Sequence, residues 1–486
     1  MAEIPLGDIL AFHGARRRAD AWCFKQDDET RSWRELDAAA TRRAWALKQR
    51  GVANGDMVTL ALANGAAFFE CAFALWKLGA TPHVISPKLP RREMADILEI
   101  ARPKLVLAEA REAQSDFGAV GASFGLDGRD DAMISEVSPH WKAMSSGGST
   151  GRPKIIVDHV PGLRDPELAA LNMPSGQVLL NPGPLYHSVP FVSSVNGIVR
   201  GNSIVSMAAF DPERALQLLA EHHVSWVIMV PTMMHRIWRL PGEVRARFDL
   251  SALQSVWHVS APMPVWLKEE WINWLGAERI WELYGGSELQ GLTLLNGVEW
   301  LAHKGSVGKA YQCGVRVVGE DGRDLPAGEV GEIYLLPDTG PGSTYHYVGA
   351  TAKTLEGGWE TLGDFGWLDA DGYLYLADRR VDLILSGGRN IYPAEIEAAL
   401  MEHPDVEGAV AIGLPDEDMG ARPHAIVRLA PGARGRVDEK TLKAFVGERL
   451  VSYKMPRTIE FTEAQLRDDA GKVRRSALRA ERIASA

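Results

Sequence analysis

The sequence predicts an α/β protein with a large N-terminal domain and a small C-terminal α+β domain. Three observations predict it. Short apolar runs alternate with helical stretches of about 10–15 residues through the first half, as in βαβ units on a parallel sheet. From about Gly305 the texture changes to short strands with Gly and Asp turns, which reads as a small β-rich subdomain. Beyond Arg379–Asp382 a compact helix–strand–strand–helix–strand pattern follows, placing a boundary near residue 380 and domains at 1–380 and 381–486. The 486 residues are too many for one ordinary core.

Taken in order, residues 33–50 read as an amphipathic helix stopped by Gly51. Strands follow at 57–63, 83–85 and 105–107, with helices at 66–78 and 91–100 between them. The alternation resumes with strands at 178–180, 203–207 and 226–230 and a helix at 212–221. Pro231 then opens another helix in its first turn. The β-rich region has strands at 315–318, 332–336 and 373–376. The C-terminal domain has helices at 393–402 and 438–450 and strands at 409–412, 424–429 and 458–461. The last dozen residues, rich in Ala and Arg, are expected to fray.

Composition narrows the function. Hydrophobic residues are 46% and charged residues 24%, a globular balance. A net charge of −10 without a basic stripe argues against a nucleic-acid partner. Cys23, Cys71 and Cys313 have neither metal-ligand spacing nor a disulfide pattern. No signal peptide and no membrane-spanning run are evident, so a cytoplasmic setting is expected.

Chemistry concentrates first in Ser145–Lys154, which holds four hydroxyls, three glycines and two cations. Glycines bring backbone N–H groups close to a ligand, and hydroxyls and cations answer phosphate oxygens. A phosphate cradle is the natural reading, although Gly151-Arg152-Pro153-Lys154 departs from a Walker loop. Four further stretches stand in order after it: Tyr284-Gly285-Gly286-Ser287-Glu288, Thr361-Leu362-Gly363-Asp364, Asp378–Glu397, and Gly471-Lys472. Each alone reads as a turn, a helix start or an exposed lysine.

Together they resemble the signatures of the adenylate-forming superfamily, which includes acyl-CoA synthetases, firefly luciferase and peptide-synthetase adenylation domains. With residues 33–58 the likeness spans nearly the whole chain. Residues 183–205, 259–288 and 297–308 are closest in flavour to bile-acid CoA ligase-like members. The resemblance implies that a carboxylate is activated as an acyl-AMP and passed to a thiol, with ATP, Mg²⁺ and coenzyme A as partners. It also implies a large adenylation domain and a mobile C-terminal domain.

Residue by residue, the resemblance assigns nucleotide binding to Ser146, Gly148, Ser149, Thr150, Gly151, Lys154, Ser260, Ala261, Pro262 and Tyr284, and ribose contacts to Asp364 and Arg379. Ser287 is expected to donate to the α-phosphate. Glu288 is expected to hold Mg²⁺ together with phosphate oxygens. His187, Trp257, Gly285 and Gly286 are expected to line the acyl pocket, the glycines leaving room there. Gly387, Gly388 and Arg389 lie on the CoA side. Lys472 is the expected catalytic lysine, offsetting the repulsion between the two reacting anions. Glu395 and Glu397 read as first-turn acids after Pro393.

The chain departs from the family at Gly147, where Ser is usual, at Val381 in the hinge, at Ala470 before Gly-Lys, and at Ser260, where the family has Gly. None of these removes a charged group. The expected function is ligation of a bulky apolar acid (steroid side chain, aryl or fatty acid) to CoA. An amine or a carrier-protein thiol is the alternative acceptor, and a catalytically silent binding protein the third reading. The partner set is acid, ATP and CoA, without nucleic acid or membrane span, and with room for a homodimer.

Overall fold

The computed structural model describes residues 3–16, 19–109, 118–121, 123–129, 134–147, 153–168, 171–377, 382–386, 389–468 and 471–484, with Ser146, Gly147 and Asn390 by their backbone. Helix Trp33–Gln49 starts where expected because Ser32 and Glu35 cap it reciprocally, Glu35 N donating to Ser32 Oγ at 3.2 Å and Ser32 N to Glu35 at 2.8 Å. Those bonds hold the Glu35 carboxyl below its ordinary pKa. Asp211 caps helix Pro212–Glu221, and Pro231 occupies the first turn of helix Pro231–Trp238.

Two large sheets and a two-stranded one, Ile4–Pro5 with Leu163–Arg164, lie in the N-terminal domain among the described residues. One large sheet has six strands in the order Tyr345–Val348, Pro153–Asp158, Ala143–Gly147, Thr81–Val84, Met57–Ala61 and Leu105–Ala108. Met57–Ala61 runs parallel to both its neighbours, and Thr81–Val84 runs parallel to Ala143–Gly147. Strands Ala143–Gly147 and Pro153–Asp158 pair antiparallel, so residues 148–152 connect the two arms of a hairpin. The other sheet contains parallel strands Trp226–Met229, Ser255–His258 and Ile280–Gly285. It continues through Leu292–Asn296 and Ser306–Tyr311 into the β-rich region. The small β-rich subdomain is therefore hydrogen-bonded to the large sheet as part of the N-terminal domain.

Helix Ala66–Lys77 is apolar almost all round and is buried in the largest core. Phe68, Phe69, Phe73 and Trp76 are fully buried there, each stabilising the fold by roughly 2–3 kcal/mol. A second core lies between the large sheet and helices Pro212–Glu221, Pro231–Trp238 and Val265–Leu275. The C-terminal domain has its own core, with Ile396, Leu400, Val427 and Leu442 packed around a five-stranded sheet. Among the described residues no helix is long and apolar enough to cross a membrane.

Two local expectations are corrected. The tail expected to fray forms helix Arg475–Ala484. Leu478 packs against the Val410–Ile412 face, and Arg482 donates to both oxygens of Glu460 at 2.8 and 3.0 Å. Glu397 is not a solvated first-turn acid. It is buried and accepts from Arg467, Arg475 and the Ala411 amide at 2.6, 2.7 and 3.0 Å.

Candidate active site

The site forms where the hairpin flanking residues 148–152 meets the turn after strand Ile280–Gly285. Register pairs Ser146 with Lys154 across the hairpin. Lys154 Nζ lies 3.2 Å from Glu288 Oε1, joining the two sheets. Tyr347, on the neighbouring strand, completes a triangle. Its hydroxyl donates to Glu288 Oε1 at 2.7 Å and accepts from Lys154 Nζ at 2.6 Å. Burial first, then the Glu288 charge, pushes the Tyr347 phenol pKa up.

A second link comes from Lys142. Its side chain is fully buried, with Nζ 2.9 Å from Asp158 Oδ2 and 3.5 Å from the Ser287 carbonyl oxygen. The hairpin base thus holds the backbone of the Ser287–Glu288 turn. Behind the start of the loop, His83 is fully buried between Thr59 Oγ1 at 2.9 Å and Ser145 Oγ at 2.8 Å. Burial pushes the His83 pKa down to about 4.

Tyr284 and Asp364 meet directly, the phenol donating to Asp364 Oδ2 at 2.9 Å. Asp364 follows Gly363, whose φ of +80° makes the turn and whose N–H donates to Thr361 Oγ1 at 2.9 Å. At Gly286 a Cβ would stand 2.6 Å from Glu288 Oε2 and 2.8 Å from Leu362. At Gly285 it would stand 2.5 Å from Leu292 and 2.9 Å from the Gly291 carbonyl. On the side where a Cβ would stand, the glycines admit close approach of the protein to itself.

Ser260 is exposed with φ +74°, so its backbone adopts the left-handed conformation that favours glycine. Ala261 is half-buried and Pro262 exposed beside it. His187 stands at the N-terminal end of helix Ser188–Val199, its ring 4.8 Å from that of Tyr186. Asn64 sets the preceding loop, donating to Gly183 O and Met207 O and accepting from Leu185 N at 2.7–2.9 Å. Trp257 is buried and stacked on Trp281 at 5.1 Å. It lines a cavity of about 290 Å³ with Leu171, Leu294 and Tyr311; His187, Gly285 and Gly286 do not border that cavity.

The C-terminal domain meets the large domain through Gly471-Lys472. Gly471 is buried with φ +76°, and a Cβ there would lie 3.6 Å from Thr232 Oγ1 and from Val230. Lys472 is exposed, its N–H donating to Asp468 Oδ1 at 2.9 Å. Its turn thus rests on the junction between strand Trp226–Met229 and helix Pro231–Trp238. The same helix ends on the C-terminal domain, where Arg239 donates to Val406 O at 2.6 Å and to Pro404 O. Arg389 lies over the Tyr453 ring at 4.8 Å within its own domain. Gly148, Ser149, Thr150, Gly151, Arg379, Gly387 and Gly388 lie outside the described residues, as do Val381 and Ala470.

The donor set suits a hard divalent cation. Glu288 is a buried single carboxylate beside Lys154 and Tyr347, with Oε2 close to Gly286, and Mg²⁺ takes one or two carboxylates plus phosphate oxygens. Tyr347, Lys142, Asp158, His83 and Asn64 were missed in the sequence. Their partners lie 16 to 193 residues away along the chain, and the signal for His83 and Lys142 is a polar residue inside or against an apolar strand.

The chain is similar to known proteins over most of its length. Residues 11–344 match the model of the AMP-binding enzyme family, and residues 395–472 match the AMP-binding enzyme C-terminal domain. A 2-succinylbenzoate–CoA ligase of Geobacillus kaustophilus is 33% identical over 469 residues, 93% of each chain. A long-chain-fatty-acid–CoA ligase of Mycobacterium tuberculosis is 30% identical over 488 residues, 95% of each chain. The structure of the Bacillus subtilis O-succinylbenzoate coenzyme A synthetase in complex with AMP superposes with a TM-score of 0.81 at 25% identity, covering 98% of both chains.

Proposed function

The chain belongs to the AMP-binding enzyme family and is an AMP-forming acyl-CoA synthetase using ATP, Mg²⁺ and CoA, and from that premise we propose that its acid is a bulky hydrophobic carboxylate. A steroid or bile-acid side chain, an aryl acid and a fatty acid are the candidate classes. The observation that supports this is the place of half-buried His187 at the edge of the main apolar core, where the helix it opens buries Phe191 and Val195. The acids in the names of the two relatives, 2-succinylbenzoate and long-chain fatty acids, also carry large carbon bodies.

In the proposed cycle the acid carboxylate attacks the α-phosphorus of ATP and pyrophosphate leaves. The CoA thiolate then attacks the acyl carbon and AMP leaves. Bound Mg²⁺ supplies charge neutralisation at the phosphate oxygens, held through Glu288. Lys154 and the hydroxyls of the loop face the phosphates, and Ser287 donates to the α-phosphate. Tyr284 stacks on adenine beside Ser260-Ala261-Pro262, while Asp364 and Arg379 take the ribose. Lys472 brings its charge between the two reacting anions from the turn resting on Thr232. The C-terminal domain then rotates about a hinge near residues 380–381, withdrawing Lys472 and bringing Gly387–Arg389 to the thiol path.

The test is pyrophosphate release with ATP and Mg²⁺ against bile acids, shorter sterol acids, aryl acids and fatty acids, each with and without CoA. One class should give release that CoA accelerates, with a thioester product. Release that ignores CoA would replace the thiol by an amine or a carrier protein, and no release from any acid would sink the proposed substrate class. Sedimentation of the same sample decides whether the enzyme works as the homodimer its sequence allows.

A further inference from the structure

We propose that buried Glu282, Lys268 and His258 are positioning residues for the adenine side of the nucleotide site, an inference that rests on the proposed adenine contacts of Tyr284 and Ser260-Ala261-Pro262. The carboxylate of Glu282 gathers the other two. Its Oε2 lies 2.5 Å from Lys268 Nζ and 3.6 Å from His258 Nε2. Each of the three side chains is at least nine-tenths buried.

Chain order makes this cluster a clasp on one short loop. His258 closes strand Ser255–His258, and Lys268 is the fourth residue of helix Val265–Leu275. Residues 259–264, with Ser260-Ala261-Pro262 among them, run between these two side chains. Both ends of the loop therefore meet one carboxylate. Glu282 stands on the adjacent parallel strand, where register pairs it with His258. Residues two apart on a strand share a face at a spacing of about 6.6 Å, so Tyr284 stands one repeat beyond Glu282 on the same face. Fixing the loop against strand Ile280–Gly285 thus sets the width between Ser260-Ala261-Pro262 and the Tyr284 ring.

Three observations favour positioning over plain stability. The pair lies in an otherwise apolar core with Leu267, Trp271 and Trp300, where apolar side chains of similar volume would hold the fold at least as well. Lys268 sits at the end of its helix's first turn, where the dipole disfavours a cation, and it is steadied from the other side by the Trp300 ring at 4.9 Å. Both ring nitrogens of His258 are buried without a hydrogen bond among the described residues, a cost that a core built for stability alone avoids.

The test uses Lys268→Met with Glu282→Leu in one full-length chain, which replaces the pair by apolar groups and should keep a cooperative thermal transition. In pyrophosphate exchange its KM for ATP should rise at least about tenfold with kcat within about threefold, because the base lies far from the reacting atoms. The inhibition constant of AMP should rise by the same factor, and that of ribose 5-phosphate, which lacks the base, should stay within about threefold. His258→Leu leaves the ion pair in place and should show the same selective loss at about fivefold. Ala261→Trp, which crowds the loop itself, is measured alongside. If it raises the AMP constant while the other two variants do not, the positioning role is overturned and the adenine site stands. If it too leaves AMP unaffected, the adenine contact of the loop falls and the positioning role with it. Equal losses for AMP and ribose 5-phosphate, or a fall in kcat at unchanged KM, also overturn the proposal, since general loosening of the domain would produce them.

Discussion

Acid should weaken the sheet beneath the phosphate-type loop through His83. Both its ring nitrogens are held by hydroxyls, and burial lowers its pKa from 6.5 to about 4. The folded value lies below the unfolded one, so the stability contributed is complete above pH 6.5 and is lost as pH falls toward 4. Linkage puts the loss between about pH 7 and about pH 5 at about 2 kcal/mol. Urea unfolding followed by tryptophan fluorescence at these two pH values, for wild type and His83→Gln, isolates the term, since groups shared by both proteins cancel. Gln keeps one donor and one acceptor for Thr59 and Ser145 but does not titrate. Wild type should lose about 2 kcal/mol more than the variant. Parallel losses would refute a neutral, desolvated His83 and with it the argument that Ser145 is held from below.

Four further outcomes follow from the site. Lys472→Ala should abolish acyl-AMP formation while thioester formation from supplied acyl-AMP stays within about threefold of wild type; equal loss in both half-reactions removes the proposed role. Tyr347→Phe deletes two hydrogen bonds to charged partners and should slow adenylation roughly 10–100-fold, with the second half-reaction little changed, as read by pyrophosphate exchange against thioester formation. Arg239→Ala removes a clasp on the C-terminal domain in the arrangement that seats Gly471 on Thr232, so adenylation should slow by about tenfold and thioesterification should not. Ser260→Gly should raise the unfolding midpoint by an amount equivalent to about 1 kcal/mol, because only the serine is strained at φ +74°; a lowered midpoint would mean that the hydroxyl makes a compensating contact.

What could be read from the sequence was whatever is local. Asp364 and Lys472 each follow a glycine of positive φ and Glu288 lies in the turn after Gly286, so these candidates stand out locally, while Tyr284 lies in strand Ile280–Gly285 just before that turn. The helices and parallel strands of the N-terminal domain follow from periodicity and capping, down to Ser32 with Glu35. Glu397 and the tail helix were misread for one reason. Their partners, Arg467 and Arg475 for one and Glu460 with the Val410–Ile412 face for the other, lie elsewhere in the chain. At Gly285 and Gly286 composition says only that a side chain is missing; the coordinates add that Leu292, Leu362 and Glu288 occupy the space where a Cβ would stand.

Lys142 shows what such long-range pairs add. Burying an ion pair costs several kcal/mol of desolvation, and two apolar side chains of the same volume would stabilise the core at least as well. The Lys142–Asp158 pair is therefore weak as an argument for stability and stronger as one for geometry. Asp158 closes the hairpin that flanks residues 148–152, while Lys142 also faces the Ser287 carbonyl on the other sheet. A methionine at 142 would fill the space and leave the two sheets free to slide by fractions of an ångström. Lys154 must span to Glu288 across the same junction, and a misplacement of about 1 Å there can cost on the order of a hundredfold in rate. The buried charges thus fix the distance between the hairpin arm that carries Lys154 and the turn that carries Glu288, a constraint that apolar packing alone does not supply.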